Sequence, residues 1–132
     1  MEKNNTLIVI PSRWGSTRLP GKPLKLLCGK PLISWVIEAA LKVKNASGIV
    51  VATDNEEIKR VGSQYNIQTL ITSSKHRNGT ERLLEVASKI NADYYINLQG
   101  DEPLIDPKDI EILIDNLIKM NEDIITLCHE IS

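Results

Sequence analysis

Apolar residues in this chain fall in short runs, and helical stripes separate the runs. Leu7 to Ile10 is a purely apolar run ended by Pro11. A segment apolar on both faces fits a buried parallel strand. Ser12 to Pro23 is then a long loop rich in Gly, Pro, Ser and Arg. Pro31 can open a helix as its first residue, and Leu32, Trp35, Val36, Ala39 and Ala40 follow at helical spacing. Ile49 to Thr53 predicts a second buried strand. Asn55 to Tyr65 predicts a helix, capped by Asp54 or Asn55. Ile67 to Ile71 reads as a third strand. A polar loop, Thr72 to Asn78, leads to a helix that Thr80 can cap, with Leu83, Leu84, Val86, Ala87 and Ile90 as its stripe. Tyr94 to Leu98 is a fourth strand. Pro107 opens a helix carrying Ile110, Leu113, Ile114, Leu117 and Ile118, and Ile124 to Cys128 fits a fifth strand.

Strands and helices alternate throughout. The expected fold is therefore α/β, a mostly parallel open sheet with helices on both faces. Ligands of such sheets bind beyond the carboxyl ends of the strands. The polar motifs of this chain lie in the loops at those ends.

The first is IPSRWGSTRLPGKPL, Ile10 to Leu24. Gly15 and Gly21 let backbone approach an anion closely, and Arg13, Arg18 and Lys22 bring three positive charges. With the hydroxyls of Ser16 and Thr17 they make the parts of a polyphosphate cradle. An ordinary basic surface loop is the plainer alternative. It fits less well with glycines, prolines and cations placed directly after a buried strand. The two glycines are six apart and Lys22 is followed by proline, so the loop is not the Walker type of kinases and ATPases.

The second is HRNGTERLLEV, His76 to Val86. Gly79 and the free amides of a helix beginning near Thr80 can meet a base edge together with Arg82. His76 could act as a base, although loop histidines are more often structural. The third is NLQGDEPLI, Asn97 to Ile105. Asp101 at such a strand tip suits Mg²⁺, which takes few protein carboxylates, and Glu102 is a weaker candidate. A turn with incidental acids explains GDEP equally well when it is taken alone. In VATDNEEI, Val51 to Ile58, Asp54 either reaches this edge or caps the next helix.

These motifs together resemble those of the CMP-Kdo synthetases, enzymes that join the acidic eight-carbon sugar Kdo to CTP in lipopolysaccharide biosynthesis. RxxSTRLPGKPL matches the family's signature loop, and HRNGTERLLEV matches its HxSGTERLxEV segment with Asn78 in place of serine. The resemblance implies a Rossmann-like nucleotidyltransferase fold. It implies that Arg13, Ser16 and Lys22 contact the triphosphate, with Arg18 close by. The Gly79, Thr80 and Arg82 segment would recognise cytosine, Gln99 would touch the sugar and Asp101 would hold Mg²⁺. Lys22, Arg13 and Asp101 are the residues expected to carry catalysis. It also implies that GKPLISWV, Gly29 to Val36, starts the first helix.

The resemblance covers Leu7 to about Leu127, whereas full members are nearly twice as long. Residues 1–132 are thus expected to be the nucleotide-binding N-terminal part, without the C-terminal part for sugar binding and dimerisation. The expectation for the chain alone is a nucleotide site with weak or no synthetase activity. A cytidylyltransferase for another acidic sugar, such as sialic acid or an amino analogue of Kdo, and a non-catalytic nucleotide-binding module are the alternatives.

Charge and composition refine this picture slightly. The chain has 16 Lys and Arg against 17 Asp and Glu, a formal charge of -1 that points to neither a nucleic-acid nor a membrane partner. The stretch from Asn4 to Ile37 nevertheless holds no acidic residue, while the last third is acid-rich. That asymmetry suits a polyanion carried with a metal ion, but a solvated surface explains it as well. Phe is absent, so Ile, Leu and Val must fill the core. Cys28 and Cys128 lack metal-finger spacing, and with no signal peptide or membrane-length run they fit a reducing cytoplasm.

Overall fold

The computed structural model describes residues 5–15, 21–100 and 105–120. The chain runs β1 (Thr6–Ser12), β2 (Leu26–Leu27), β3 (Lys30–Pro31), α1 (Leu32–Leu41), β4 (Gly48–Thr53), α2 (Glu56–Ser63), β5 (Gln68–Ile71), α3 (Gly79–Lys89), β6 (Tyr94–Asn97) and α4 (Pro107–Met120). The main sheet has the order β5-β4-β1-β6, and every pairing in it is parallel. The expected α/β fold is what the chain adopts. The strand expected at Ile124 to Cys128 lies outside the described residues.

Alternation along β1 divides the core into two layers. Ile8 and Ile10 point to one face, where Ile33, Val36, Ile37 and Ala40 of α1, Ile58 of α2, and Ile110 and Ile114 of α4 cover them. Leu7 and Val9 point to the other face and meet Leu83 and Val86 of α3. Most of these side chains are fully buried, and truncating one such Ile to Ala costs about 2–5 kcal/mol.

β1 continues through Pro11 to Ser12, two residues past the apolar run. A proline inside a sheet must place its missing N–H where no acceptor waits. The Pro11 carbonyl accepts from Gly100 N on the β6 side, and β6 itself has already ended at Asn97. Ser12 still pairs with Thr53 of β4.

The start of α1 departs from expectation. Gly29 does not open the helix. Cys28 (φ 53) and Gly29 (φ 80) form the two-residue turn of a small antiparallel hairpin, β2–β3. Two positive φ values in succession suit the twist of a tight hairpin. Pro31 then precedes the helix, which begins at Leu32. The buried stripe of α1 centres on Ile33, Val36 and Ile37 rather than on Leu32 and Trp35. Trp35 turns to the hairpin, where its Nε1–H donates to Leu27 O at 2.9 Å and Lys30 Nζ lies 3.9 Å from the ring centre. Leu84 of α3, expected in the apolar stripe, is exposed, and the buried Arg82 takes a place on the inner face.

Candidate active site at the carboxyl edge of the sheet

The carboxyl ends of β1, β4 and β6 and the N-terminus of α3 meet along one edge of the molecule. β1 delivers Arg13 and Trp14 to this edge. Trp14 N–H donates to Asp54 Oδ1 at 2.9 Å, so the loop after β1 is tied to the end of β4. Asp54 therefore belongs to this edge, and the capping alternative falls to its neighbour. Asn55 Oδ1 accepts from Glu57 N and Ile58 N at the start of α2.

Gly21 N–H donates back to Trp14 O at 2.7 Å, which brings the two ends of the segment 14–21 together. Gly21 has φ 72, and a β-carbon there would lie 2.8 Å from Cη2 of Trp14. Both the left-handed backbone and the covering indole ring call for glycine. Lys22 follows at once and begins a single 3-10 turn, Lys22–Leu24. Arg13 and Lys22, nine positions apart in sequence, thus flank one backbone contact. Ser16 and Arg18, expected beside them, lie outside the described residues.

The loop 72–78 is secured from beneath by side chains of α3. Arg82 is 2 % exposed, and its Nη1–H donates to Thr72 Oγ1 and to Ser73 O at 3.0 Å. Burial pushes the pKa of this guanidinium down, and the carboxylates of Asp54 and Glu85 oppose that shift. Arg82 is thus at the expected place, but its guanidinium sits under the loop rather than on its surface.

Glu85 accepts from Ser73 N at 3.0 Å and from Lys89 Nζ at 2.7 Å, and it lies 2.7 Å from His76 Nε2. The Lys89 bond, then the Ser73 amide, then His76 hold its carboxyl at about 2, against the opposing effect of burial. His76 is occupied as a strut between loop and helix. Glu81 binds Arg77 through both main chain and side chain. The cap of α3 is Asn78, whose Oδ1 accepts from Glu81 N at 2.9 Å, and not Thr80. A serine at this position could accept the same bond, so Asn78 keeps the helix start intact. Thr80 is exposed in the first turn.

Gln99 connects the two halves of the edge. A β-carbon on Gly79 would lie 3.1 Å from Gln99 Nε2 and 3.3 Å from Pro11 Cγ. The Gln99 side chain therefore packs where β1 meets the start of α3. Arg13 Nη1 also lies 3.4 Å from Arg77 O, a second contact between the loops.

Asp101 lies outside the described residues. Gly100 N–H donates to Pro11 O, and a β-carbon on Gly100 would collide with Ser12 Oγ. Gly100 thus lies against the end of β1. Among the described residues, no cluster of three His, Cys, Asp or Glu side chains could hold a metal by protein atoms alone.

Glu85 and Glu81 are the residues that reading the sequence missed. Their signal was present in ERLLE, two acids four apart on one face of a helix that follows a polar loop.

Known proteins resemble this chain in sequence and in fold. A family model of cytidylyltransferases matches residues 7–132. A 3-deoxy-manno-octulosonate cytidylyltransferase of Escherichia coli is 45% identical over 98% of this chain and 53% of its own length. Its counterpart in Haemophilus influenzae strain PittEE is 42% identical over 94% of the chain and 50% of its own length. The chain spans about half the length of the curated relatives it matches. A solved structure of CMP:2-keto-3-deoxy-manno-octonic acid synthetase complexed with CTP superposes with a TM-score of 0.84 at 45% identity, covering 88% of this chain and 48% of the other.

Proposed function

The chain belongs to the cytidylyltransferase family, and from that premise we propose that it forms the nucleotide-binding half of an enzyme that activates Kdo with CTP, giving CMP-Kdo and pyrophosphate. The observation that carries the proposal is the convergence of the two loops. Arg13 and Lys22 flank one contact at the end of β1, and Gln99 packs against Gly79 at the start of α3.

In this reading the triphosphate of CTP lies against Arg13, Ser16, Arg18 and Lys22. Cytosine meets the main chain of Gly79 and Thr80, with Arg82 holding the loop 72–78 in place behind it. Gln99 faces the sugar. The anomeric hydroxyl attacks the α-phosphorus, the bond to the β-phosphate oxygen breaks, and pyrophosphate leaves. Such a transfer depends on alignment and charge neutralisation more than on covalent chemistry from the protein. Lys22 and Arg13 supply fixed positive charge where negative charge grows on the phosphates. Asp101 would hold Mg²⁺, which when bound neutralises phosphate oxygens and lowers the pKa of a bound hydroxyl.

The product's place in lipopolysaccharide biosynthesis, a cytoplasmic location and a homodimeric full-length enzyme belong to the same proposal. They rest on the likeness to the CMP-Kdo synthetases. Among the described residues no helix is long and apolar enough to cross a membrane.

The test is pyrophosphate release with CTP, Kdo and Mg²⁺, beside calorimetric binding of CTP. The proposal expects saturable CTP binding, and any turnover must require both substrates. Absence of CTP binding would overturn it. Turnover with sialic acid in place of Kdo would move the proposal to another sugar.

A further inference from the structure

We propose that Asp54 is a positioning residue for the phosphate site, acting through a clasp formed by Trp14 and Gly21. The inference rests on the proposed function for its ligand, but the clasp itself rests only on geometry. Three contacts build it. Asp54 Oδ1 accepts from Trp14 N at 2.9 Å, Trp14 O accepts from Gly21 N at 2.7 Å, and the indole of Trp14 covers Cα of Gly21.

The clasp bears on the site because of what lies on either side of it. Arg13 immediately precedes Trp14, and Lys22 immediately follows Gly21. The Trp14–Gly21 contact therefore ties together the backbone positions from which these two side chains start. The placement of that contact over the sheet is set by Asp54. Asp54 sits one residue beyond β4, whose Thr53 pairs with Ser12 of β1, so the anchor stands on the rigid part of the fold. Like charges repel, so a loop without this contact would favour separating the two. A site for a polyanion needs them convergent before the ligand arrives.

Asp54 has a further electrostatic connection to the second loop, because its charge favours the ionised form of the buried Arg82. A purely charge-based role through Arg82 is thus the competing account. The two accounts part at Asp54→Asn, which keeps an oxygen acceptor for Trp14 N–H and removes the charge.

The experiment uses the whole chain labelled with 5-fluorotryptophan. Its two tryptophans give two fluorine resonances, and Trp14→Phe identifies that of Trp14. The proposal expects Asp54→Ala to shift the Trp14 resonance while that of Trp35 stays in place. It expects CTP affinity to fall by about tenfold, the upper scale of one lost intramolecular hydrogen bond. Asp54→Asn should restore both readouts to within about twofold of the original chain. An unchanged Trp14 resonance and unchanged affinity in Asp54→Ala would overturn the proposal. Loss of affinity in Asp54→Asn equal to that in Asp54→Ala would also overturn it, in favour of the charge. If the original chain binds no CTP, the functional reading fails, and the Trp14 resonance alone decides whether the clasp exists.

Discussion

The two loops that frame the candidate site are held by opposite means. The loop 72–78 is fastened by charged side chains of the helix that follows it. Arg82 grips Thr72 and Ser73, Glu85 grips Ser73 and His76, and Glu81 grips Arg77. The segment that opens with Trp14 is fastened at its two ends by main-chain groups, to Asp54 across 40 positions and to Gly21. The difference follows from what each loop is proposed to meet. A loop facing an uncharged base can spend its ionic groups on its own support. A loop facing phosphates is instead placed by backbone amides, one distant carboxylate and a glycine. The first design depends on ionisation, and the second depends on backbone conformation.

Substitutions should separate the two designs, beginning with the largest effect. Lys22→Ala should lower CTP affinity by about a hundredfold, because a charge-assisted phosphate contact is worth about 1.5–3 kcal/mol. Arg82→Met should act chiefly on stability, with any loss of CTP affinity following from the loosened loop 72–78. It removes two charge-assisted bonds and leaves Thr72 less well satisfied, so chemical denaturation should show a loss of about 2–3 kcal/mol. Gly21→Ala should weaken CTP binding by about tenfold in calorimetry, since a left-handed alanine costs about 1–2 kcal/mol before the clash with Trp14 is counted.

Acid should give the smallest effect in the site, at the loop 72–78. The Glu85 carboxyl is held at about 2, below its ordinary value of 4.5. A depressed carboxyl contributes stability that is full above the ordinary value and fades as pH falls toward the depressed one. Protection of the amides of residues 72–78, taken relative to their intrinsic exchange rates, should therefore fall as pH drops from 4.5 toward about 2. Glu85→Gln should remove that pH dependence. Residues 13 and 14, held by main-chain contacts to Gly21 and by Asp54, should not share it to the same degree.

The layers of the fold were legible because the core obeys simple periodicities. The uniform apolar run of β1 and the stripe of α4 both lie where pattern placed them. The hairpin β2–β3 was hidden, because Leu26, Leu27, Lys30 and Pro31 are too few to show a period. The boundary at Pro11 was misread for a related reason. A proline normally stops a strand, and only the early end of β6 makes it tolerable here. In the site, the cations and glycines were legible because their chemistry resides in residue type. The fasteners were less so. Glu85, Glu81 and His76 look like the solvated face of a helix and a loop, and only the folded loop shows what they hold. Asp54 was seen as a residue with two readings, and the contact that decides between them spans 40 positions.

The account turns on Lys22 and its neighbours meeting the phosphates of CTP. The most direct measurement is a calorimetric titration of CTP, in the presence of Mg²⁺, into the original chain and into Lys22→Ala. The account predicts saturable binding by the former and a loss of about a hundredfold in the latter, with both proteins equally folded. Equal affinity in the two, or no binding by either, would contradict it.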